Sequence, residues 1–357
     1  MNWYLMLLLS QLGISGLEPD LVYGQPPGEL WLQRPHSIAV SPEGQVFISD
    51  QDAKRVLVWN RDGSFKGTIG NGGQGPGEFV LPTWMDYRNG RLHVLDPIAR
   101  RIEVFDPQGQ PVKTLSVKDI FTSPMGFQAL SDGGYAVVLH AVFDEPPAMK
   151  LVLLDAAGHV KATPKRFLDK SFQLENTSRD FLMEITAYSG ETTLTRRAGQ
   201  FLLACGYEPM VYFMDESGAV RDKLELIGRR ARMVTAADKN EFMGMEIPWR
   251  DGFTPLNKLK DHIRVSFPEH MPYFTGVFPA GSDHILVYER SKSSNHLKAQ
   301  RYDLRGKPVG PNLELILGWS GTFHISEDQL FAAIYDEGHE EFSLQQFRFN
   351  QKKGNTL

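Results

Sequence analysis

Apolar residues recur at every second position through the first third of the chain. Val46 and Ile48 are followed by Val56 and Val58, and later by Leu92 and Val94, then Ile102 and Val104. A period of two is the signature of β-strands, whose successive side chains point to opposite faces. Turn residues separate these runs at Pro42-Glu43-Gly44, Arg61-Asp62-Gly63, Asn89-Gly90 and Gln108-Gly109, where glycine or asparagine accepts the positive φ of a tight hairpin. Each stretch of this kind therefore predicts a four-stranded antiparallel meander.

The pattern is itself repeated. Pro35, Asp50, Arg55 and Gly63 of the first unit match Pro82, Asp96, Arg101 and Gly109 of the second at offsets of 46 or 47 residues. Two PGE phrases, in GQPPGEL at Gly24 to Leu30 and in GNGGQGPGEF at Gly70 to Phe79, stand 49 residues apart. Fainter copies follow in LLDAAGHV (Leu153 to Val160), FMDESGAV (Phe213 to Val220) and RYDLRGKPV (Arg301 to Val309), and a last unit runs from His324 to Phe349. One four-stranded sheet cannot bury both of its faces alone, so six such units predict an all-β, six-bladed β-propeller. The last unit lacks chain for an outer strand. LVYG (Leu21 to Gly24) precedes the first PGE phrase as GTIG precedes the second, so the N-terminal segment is expected to close the ring within the sixth blade.

That repetition decides the meaning of the glycines at 70, 72 and 75. They satisfy the spacing of a dinucleotide-binding loop, but such a loop needs a helix starting at its third glycine. Here Pro76, Gly77 and Pro82 follow, then a strand, and the first copy has Pro26 in place of the third glycine. The stretch reads as a joint between blades.

Composition agrees with many short strands. The 357 residues are 41% hydrophobic and 23% charged, with 33 glycines, 22 prolines, 22 phenylalanines, 11 tyrosines and 6 tryptophans. A net charge of -5 offers no concentrated basic face for nucleic acid. The single Cys205 excludes an internal disulfide and a cysteine-rich zinc site. Asn2 to Leu9 (NWYLMLLL) is a short apolar block, below the roughly 18 residues of a membrane span, and reads as a signal-peptide core, although no Lys or Arg precedes it. A cut after Ser15, with Gly13 and Ser15 at the small-residue positions, would retain the closing strand. The expected organisation is a signal peptide over 1–15 and one propeller over 16–357, with no transmembrane segment in the mature chain and a secreted or periplasmic location.

The phrases GPGEF, VFISDQDAKRVLVWNRDGSF and LHVLDPIARRIEVFDPQG resemble NHL repeats, and the whole chain resembles a bacterial six-bladed propeller of the NHL type. The resemblance is strong over the first two units. It implies a shared scaffold more than a shared activity, since such proteins include envelope proteins, protein- or RNA-binding modules and peptidyl-amidoglycolate lyases. In those lyases a similar Pro-His phrase opens a blade and holds zinc over the central channel, which makes His36 a candidate metal ligand, with His324 as a second. A zinc site needs about three converging ligands. The equivalent positions in other blades are Thr83, Met125 and Tyr273, so the expectation is no cofactor.

The Asp50/Arg55 and Asp96/Arg101 pairs share one spacing across a blade's second and third strands, and their recurrence points to structure: pairing across the hairpin and bonding of turn amides. Between Gly228 and Pro272 the chain is too long for a blade connection, and Thr235 is placed to cap a helix across Ala236 to Met245. Arg229, Arg230 and Arg232 read as solvated surface. Gly318-Trp319-Ser320-Gly321 misses the nucleophile elbow, and His339-Glu340-Glu341 lacks the second histidine of a zincin. The functional expectation is a binding scaffold for a protein or glycan partner, with His36, Thr83, Trp84, Met125 and Tyr273 at the channel rim. The alternatives are a metal-dependent lyase or hydrolase in the funnel, and a structural subunit of an envelope complex.

Overall fold

Strand Val46–Asp50 of the first repeat is buried at all five positions. Its alternation sends side chains both ways: Val46 and Ile48 join Phe331, Ala333 and Leu344 on one side, and Phe47 joins Met85, Leu92 and Phe105 on the other. A strand apolar on both faces must be sandwiched between two other sheets, and the ring supplies them. The computed structural model describes residues 19–28, 30–118, 123–141, 144, 148–168, 183–186, 192–249, 252–290, 296–316, 322–326, 329–336 and 339–348. The expected signal peptide lies outside these residues.

Six four-stranded antiparallel sheets follow one another along the chain, the first five each in sequential strand order. The first blade comprises Pro35–Val40, Val46–Asp50, Arg55–Trp59 and Phe65–Ile69, and the second Trp84–Arg88, Arg91–Asp96, Arg101–Phe105 and Pro111–Ser116. The third to fifth blades have inner strands Ser123–Ala129, Thr192–Arg197 and Gly276–Ala280 and outer strands Val160–Leu168, Val220–Glu225 and Pro308–Ile316. The sixth contains Thr322–Ser326, Gln329–Asp336 and Glu341–Arg348, and its outer strand is Leu21–Val22 from the other end of the chain. Leu21 pairs with Gln346 and Val22 with Gln345, which closes the ring inside a blade. An apolar cluster fills each of the six junctions between neighbouring blades. Burial of this apolar surface is the main stabilising term.

The joint between the first two blades is built as its glycines suggest. Gly70 has φ +71° and Gly77 φ +77°, and a Cβ on Gly70 would lie 2.3 Å from the ring of Phe79, which is fully buried. The Phe79 amide donates to the Asn71 carbonyl at 2.8 Å, and the Gly75 amide donates to Glu78 Oε2 at 2.8 Å. The glycines make room for an aromatic anchor rather than for phosphate.

The insertion forms a small appendage with its own apolar cluster of Phe242, Leu256, Leu259 and Ile263. Its helix spans Ala236–Gly244, with Thr235 as N-cap in a reciprocal capping box with Asp238. Arg232 forks onto both oxygens of Asp238, at 2.7 and 2.8 Å. Arg229 donates to the Tyr273 carbonyl at 2.9 Å and to the Tyr302 hydroxyl at 3.1 Å, so these two arginines brace the fold. A hairpin, Glu246–Trp249 with Gly252–Pro255, and a 3-10 turn, Leu256–Lys258, complete the unit. Strand Ile263–Ser266 pairs in parallel with Met183–Thr186, which comes from the connection between the third and fourth blades. The appendage thus joins two inter-blade connections, both at the end of the ring where inner strands begin.

Candidate functional site

The inner strands of all six blades surround a central cavity of about 1350 Å³. They run in one direction, so the cavity has an entrance, where these strands begin, and an exit, where they end. The two ends differ in chemistry.

At the entrance the first blade contributes His36. Its Nδ1 lies 3.1 Å from the Thr83 carbonyl, which can only accept, so Nδ1 carries the hydrogen and Nε2 keeps its lone pair. Burial pushes the imidazole down to about 4 against the opposing effect of that hydrogen bond, with the nearby Arg34 charge assisting. The ring meets Trp84 of the second blade edge to face, with centroids 4.9 Å apart. The Trp84 indole N–H donates to the Pro124 carbonyl at 2.8 Å, which fixes the ring at the cavity wall. Met125 continues this wall on the third blade.

The sixth blade extends the wall in the other direction. The Thr322 hydroxyl donates to the His36 carbonyl at 2.8 Å and brings Phe323 alongside. Phe323 packs against Phe278 and Tyr288 of the fifth blade, with centroids 5.4 and 5.0 Å away. His324 lies 6.3 Å from the Phe278 ring, and burial pushes its imidazole down to about 4 as well. Both channel histidines are therefore neutral at physiological pH.

The fourth blade buries two hydroxyls. Thr192 and Thr195 line the cavity, are 4% and 8% exposed, and their Oγ1 atoms have no hydrogen-bond partner in the protein. Gly276 of the fifth blade makes space for this side of the wall: a Cβ there would lie 2.5 Å from both Thr193 Oγ1 and the Tyr288 hydroxyl oxygen.

The exit is ionic. Glu216, in a turn of the fourth blade, accepts from Arg88 at 2.9 Å and from Arg196 at 3.0 Å, and also from the amide of Ser131 at 2.8 Å. Arg196 reaches Asp86 at 3.3 Å and Gln128 at 3.3 Å. Burial raises Asp86 above the usual carboxylate range, against the pull of Arg196. The network ties three blades together, and Arg197 beside it donates to the Ser282 carbonyl.

Among the rim residues expected from sequence, His36, Trp84 and Met125 line the cavity, as does His324. Thr83 and Tyr273 do not. Thr83 is buried behind the wall, where its hydroxyl donates to the Leu81 carbonyl at 3.0 Å and its carbonyl accepts from Ser49 Oγ at 3.0 Å. Tyr273 belongs to the junction of the fourth and fifth blades, its amide donating to the Gly206 carbonyl at 2.7 Å. The inner strand of the fifth blade begins only at Gly276, which displaces Tyr273 from the slot. Among the described residues no three His, Cys, Asp or Glu side chains are grouped to hold a metal ion. Asp50, Arg55, Asp96 and Arg101 lie away from the cavity wall, at the blade joints.

Sequence reasoning did not find Thr192, Thr195, Arg196, Glu216 or the Phe278, Tyr288 and Phe323 cluster. The fourth and fifth units carry weak repeats, and only the strand register shows which of their residues face inward. The fixed offset from His36 and Trp84 could have located Phe323, had the sixth inner strand been aligned from His324 backwards.

The 6-bladed beta-propeller family model DUF5128 matches residues 27–308. Among solved structures, a protein of Bacteroides fragilis NCTC 9343 that carries an exported-protein designation aligns at TM-score 0.54 and 12% identity, covering 94% of this chain and 95% of that one. A DUF4221 family member from Bacteroides vulgatus ATCC 8482 aligns at TM-score 0.53 and 9% identity, covering 93% and 97%. At these identities the likeness is one of fold. No curated protein matches the sequence.

Proposed function

The chain belongs to the DUF5128 family of six-bladed β-propellers, and from that premise we propose that it is a binding scaffold whose partner enters the central channel at the His36 and Trp84 end. The observation that carries this reading is the asymmetry of the channel. One end holds the rings of His36, Trp84 and Phe323, and the other is lined by the ion pairs of Arg88, Arg196, Asp86 and Glu216. A concave site that combines apolar rings with placed polar groups is how proteins hold ligands.

The scaffold, with repeats we take to be of the NHL type, works outside the cytoplasm, secreted or periplasmic. The apolar block Asn2 to Leu9 supports that location, as does the exported designation of one structural neighbour. No helix among the described residues is long and apolar enough to cross a membrane. The rival reading, a metal-dependent lyase or hydrolase, would need donors beyond His36 and His324, and the Nδ1 of His36 is already engaged by Thr83.

A photo-crosslinking side chain placed at Met125 tests the scaffold reading in producing cells. It is expected to capture a discrete partner, while the same probe at the exposed Val160 on an outer strand captures none. Equal labelling at both positions would remove the channel from consideration. Stoichiometric metal in the purified protein, lost on His36→Ala, would overturn the non-catalytic reading.

A further inference from the structure

We infer that the exit half of the channel is an anion site: it takes a carboxylate or phosphate group of a ligand, met by the guanidinium groups of Arg88 and Arg197 and by the side-chain amide of Gln128. This rests on the scaffold reading above and names the group that the channel's partner carries.

Acceptors at this end of the channel are spent on the protein itself. Glu216 does not line the cavity; its Oε1 takes Arg88 at 2.9 Å and Arg196 at 3.0 Å, and its Oε2 takes the amide and the hydroxyl of Ser131. Asp86 Oδ2 takes the Ala129 amide at 2.9 Å and Arg196 at 3.3 Å. The Gln128 side-chain oxygen takes Nε of Arg196 at 3.3 Å, and the Ala129 carbonyl takes Nη2. Every nitrogen of the Arg196 guanidinium is thereby engaged.

Donors are left over. With its oxygen fixed on Arg196, Gln128 has its NH2 group to donate from the cavity wall. Arg88 gives one terminal nitrogen to Glu216, and Arg197 gives one to the Ser282 carbonyl. Among the described residues, no acceptor takes the other terminal nitrogen of either. Their Nε atoms are buried, so it is the terminal end of each fork that meets the cavity. Arg197 also has no carboxylate partner. Asp283, the residue after its acceptor, is engaged with His284 Nδ1 at 2.7 Å instead.

The ligand group that answers surplus donors and an uncompensated cation is rich in acceptors and negatively charged. Guanidinium forks match the oxygens of carboxylate and phosphate. A cation in a concave wall acts more strongly than one on open surface, because less water screens it. The chain as a whole carries a net charge of -5, so this cationic end does not follow from composition. Glu216 and Arg196 hold Arg88 and Gln128 in place, which sets the donors before a ligand arrives. The cavity of about 1350 Å³ leaves room for the rest of the ligand to extend toward His36 and Trp84.

The test is titration of the intact purified protein, at low ionic strength, with citrate, succinate and inorganic phosphate. Calorimetry and the melting temperature are the readouts, with succinamide as the neutral counterpart of succinate and sodium chloride at matched ionic strength. At least one oxyanion is expected to bind and to raise the melting temperature, and which one binds distinguishes carboxylate from phosphate. Arg88→Gln and Arg197→Gln are each expected to weaken binding by about tenfold or more, as for the loss of a charged hydrogen bond. Arg197→Lys keeps the charge without the fork and should weaken it less. Arg230→Gln, at an exposed position outside the cavity wall, should leave binding unchanged.

Should the glutamine variants fail to fold, labelling of the parent protein with phenylglyoxal carries the test. The bound oxyanion should protect Arg88 and Arg197 from the reagent and leave Arg230 as reactive as before, read by peptide mass spectrometry. Absence of binding by every oxyanion, equal binding of succinamide and succinate, or binding that neither depends on Arg88 and Arg197 nor protects them would each overturn the proposal. A partner captured from Met125 and indifferent to Arg197→Gln, with no oxyanion bound, leaves the scaffold reading and removes this one. An oxyanion bound with no partner captured does the reverse. If neither is found, both readings fall.

Discussion

Asp96 and Arg101 are register partners across the central hairpin of the second blade, yet each bonds a different polarity of the same chain crossing instead of the other. Asp96 Oδ2 accepts from the amides of Val80 and Leu81 at 2.7 and 3.0 Å, and Oδ1 from that of Ala99 at 2.9 Å. Arg101 donates to the carbonyls of Gln74 and Glu78, the latter at 2.6 Å, and pairs with buried Glu103 at 2.9 Å. The first blade repeats the device: Asp50 accepts from Gln33 and Arg34 at 2.9 Å each, and Arg55 donates to the Trp31 carbonyl at 3.3 Å. The pair holds the joint by which one blade passes to the next.

Removing the carboxylate should therefore unfasten the joint. Asp96→Ala leaves three amides without acceptors, and each orphaned buried group costs about 1–3 kcal/mol, so a loss of at least about 3 kcal/mol is expected. Asp96→Asn keeps one oxygen and should fall between. Urea denaturation measures both, with an unchanged slope expected. A midpoint for Asp96→Ala equal to that of the parent would show that the crossing is held by other means.

Gly70 and Gly90 share φ +71° but not surroundings. Nothing lies within 4 Å of a Cβ at Gly90, whereas one at Gly70 would meet the Phe79 ring at 2.3 Å and the Gly77 carbonyl oxygen at 2.8 Å. Gly90→Ala should cost about 1–2 kcal/mol, the strain of a left-handed L-residue. Gly70→Ala should cost clearly more, because Phe79 must move out of an inter-blade core. Equal costs, read from paired denaturation curves, would remove the steric part of this account.

The fourth blade contains a turn whose sequence is poorer than its geometry asks. Asn89-Gly90 and Ala198-Gly199 occupy equivalent two-residue hairpins, with φ of 52° and 71° in one and 46° and 78° in the other. Alanine tolerates positive φ badly, and asparagine is favoured there. Ala198→Asn is expected to stabilise the protein by about 0.5–1 kcal/mol, read as a raised melting temperature. A lowered one would mean that a contact of Ala198 matters more than its backbone.

The repeats of the first two blades made the architecture legible because a joint, a turn and an Asp/Arg pair recur there at nearly constant spacing. They also placed the closing strand, since LVYG stands before its joint as GTIG does before the second. The channel was less legible. His36 and Trp84 could be aligned to a slot, but Tyr273 could not, because the appendage shifts where the fifth inner strand begins. The appendage itself showed its helix through Thr235, yet its pairing with Met183–Thr186 is a parallel ladder between segments about eighty residues apart, which leaves no local signature. The ionic exit depends on Glu216 reaching Arg88 over 128 residues of sequence, a contact that periodicity cannot reveal.

Three half-buried histidines contribute to the response to acid. Burial holds His36, His93 and His324 at about 4, below the 6.5 of the free side chain. In the unfolded chain they take up protons near 6.5, so the unfolded state binds more protons between those values. Their contribution to stability is present above about pH 6.5 and is lost as pH falls toward 4. His93 keeps its place through Nδ1, 3.1 Å from the Tyr135 hydroxyl. Exposed His339, raised by Asp336, works in the opposite sense, but solvent screens it. Urea midpoints should therefore decline between pH 7 and 5. The decline should be shallower in a His36→Gln, His324→Gln variant, and an identical slope would exclude these two as its source.

Closure of the ring rests on a very short strand. Beyond the pairing of Leu21 with Gln346 and Val22 with Gln345, Tyr23 enters the cluster of Ile38, Val46, Trp59 and Phe331 and donates from its hydroxyl to Gln346 at 2.9 Å. The Gly24 carbonyl accepts from the Trp59 indole at 2.8 Å, and the Gly24 amide donates to the Gly63 carbonyl at 2.8 Å. A chain beginning at residue 16 keeps all of this; one beginning at residue 25 loses it and leaves Glu341–Arg348 as a bare edge, ready to pair with another molecule. The longer chain is expected to stay monodisperse with a single cooperative melt, and the shorter one to melt lower and aggregate. The strand matters here, not the end of the chain that supplies it. Residues 20–23 placed after Arg348 through a two-residue turn would run antiparallel to Glu341–Arg348 and should restore the melt to the shorter chain. If they do not, the N-terminal segment acts through its covalent link to the first joint, and the Trp59 to Gly24 bond becomes the element to remove next.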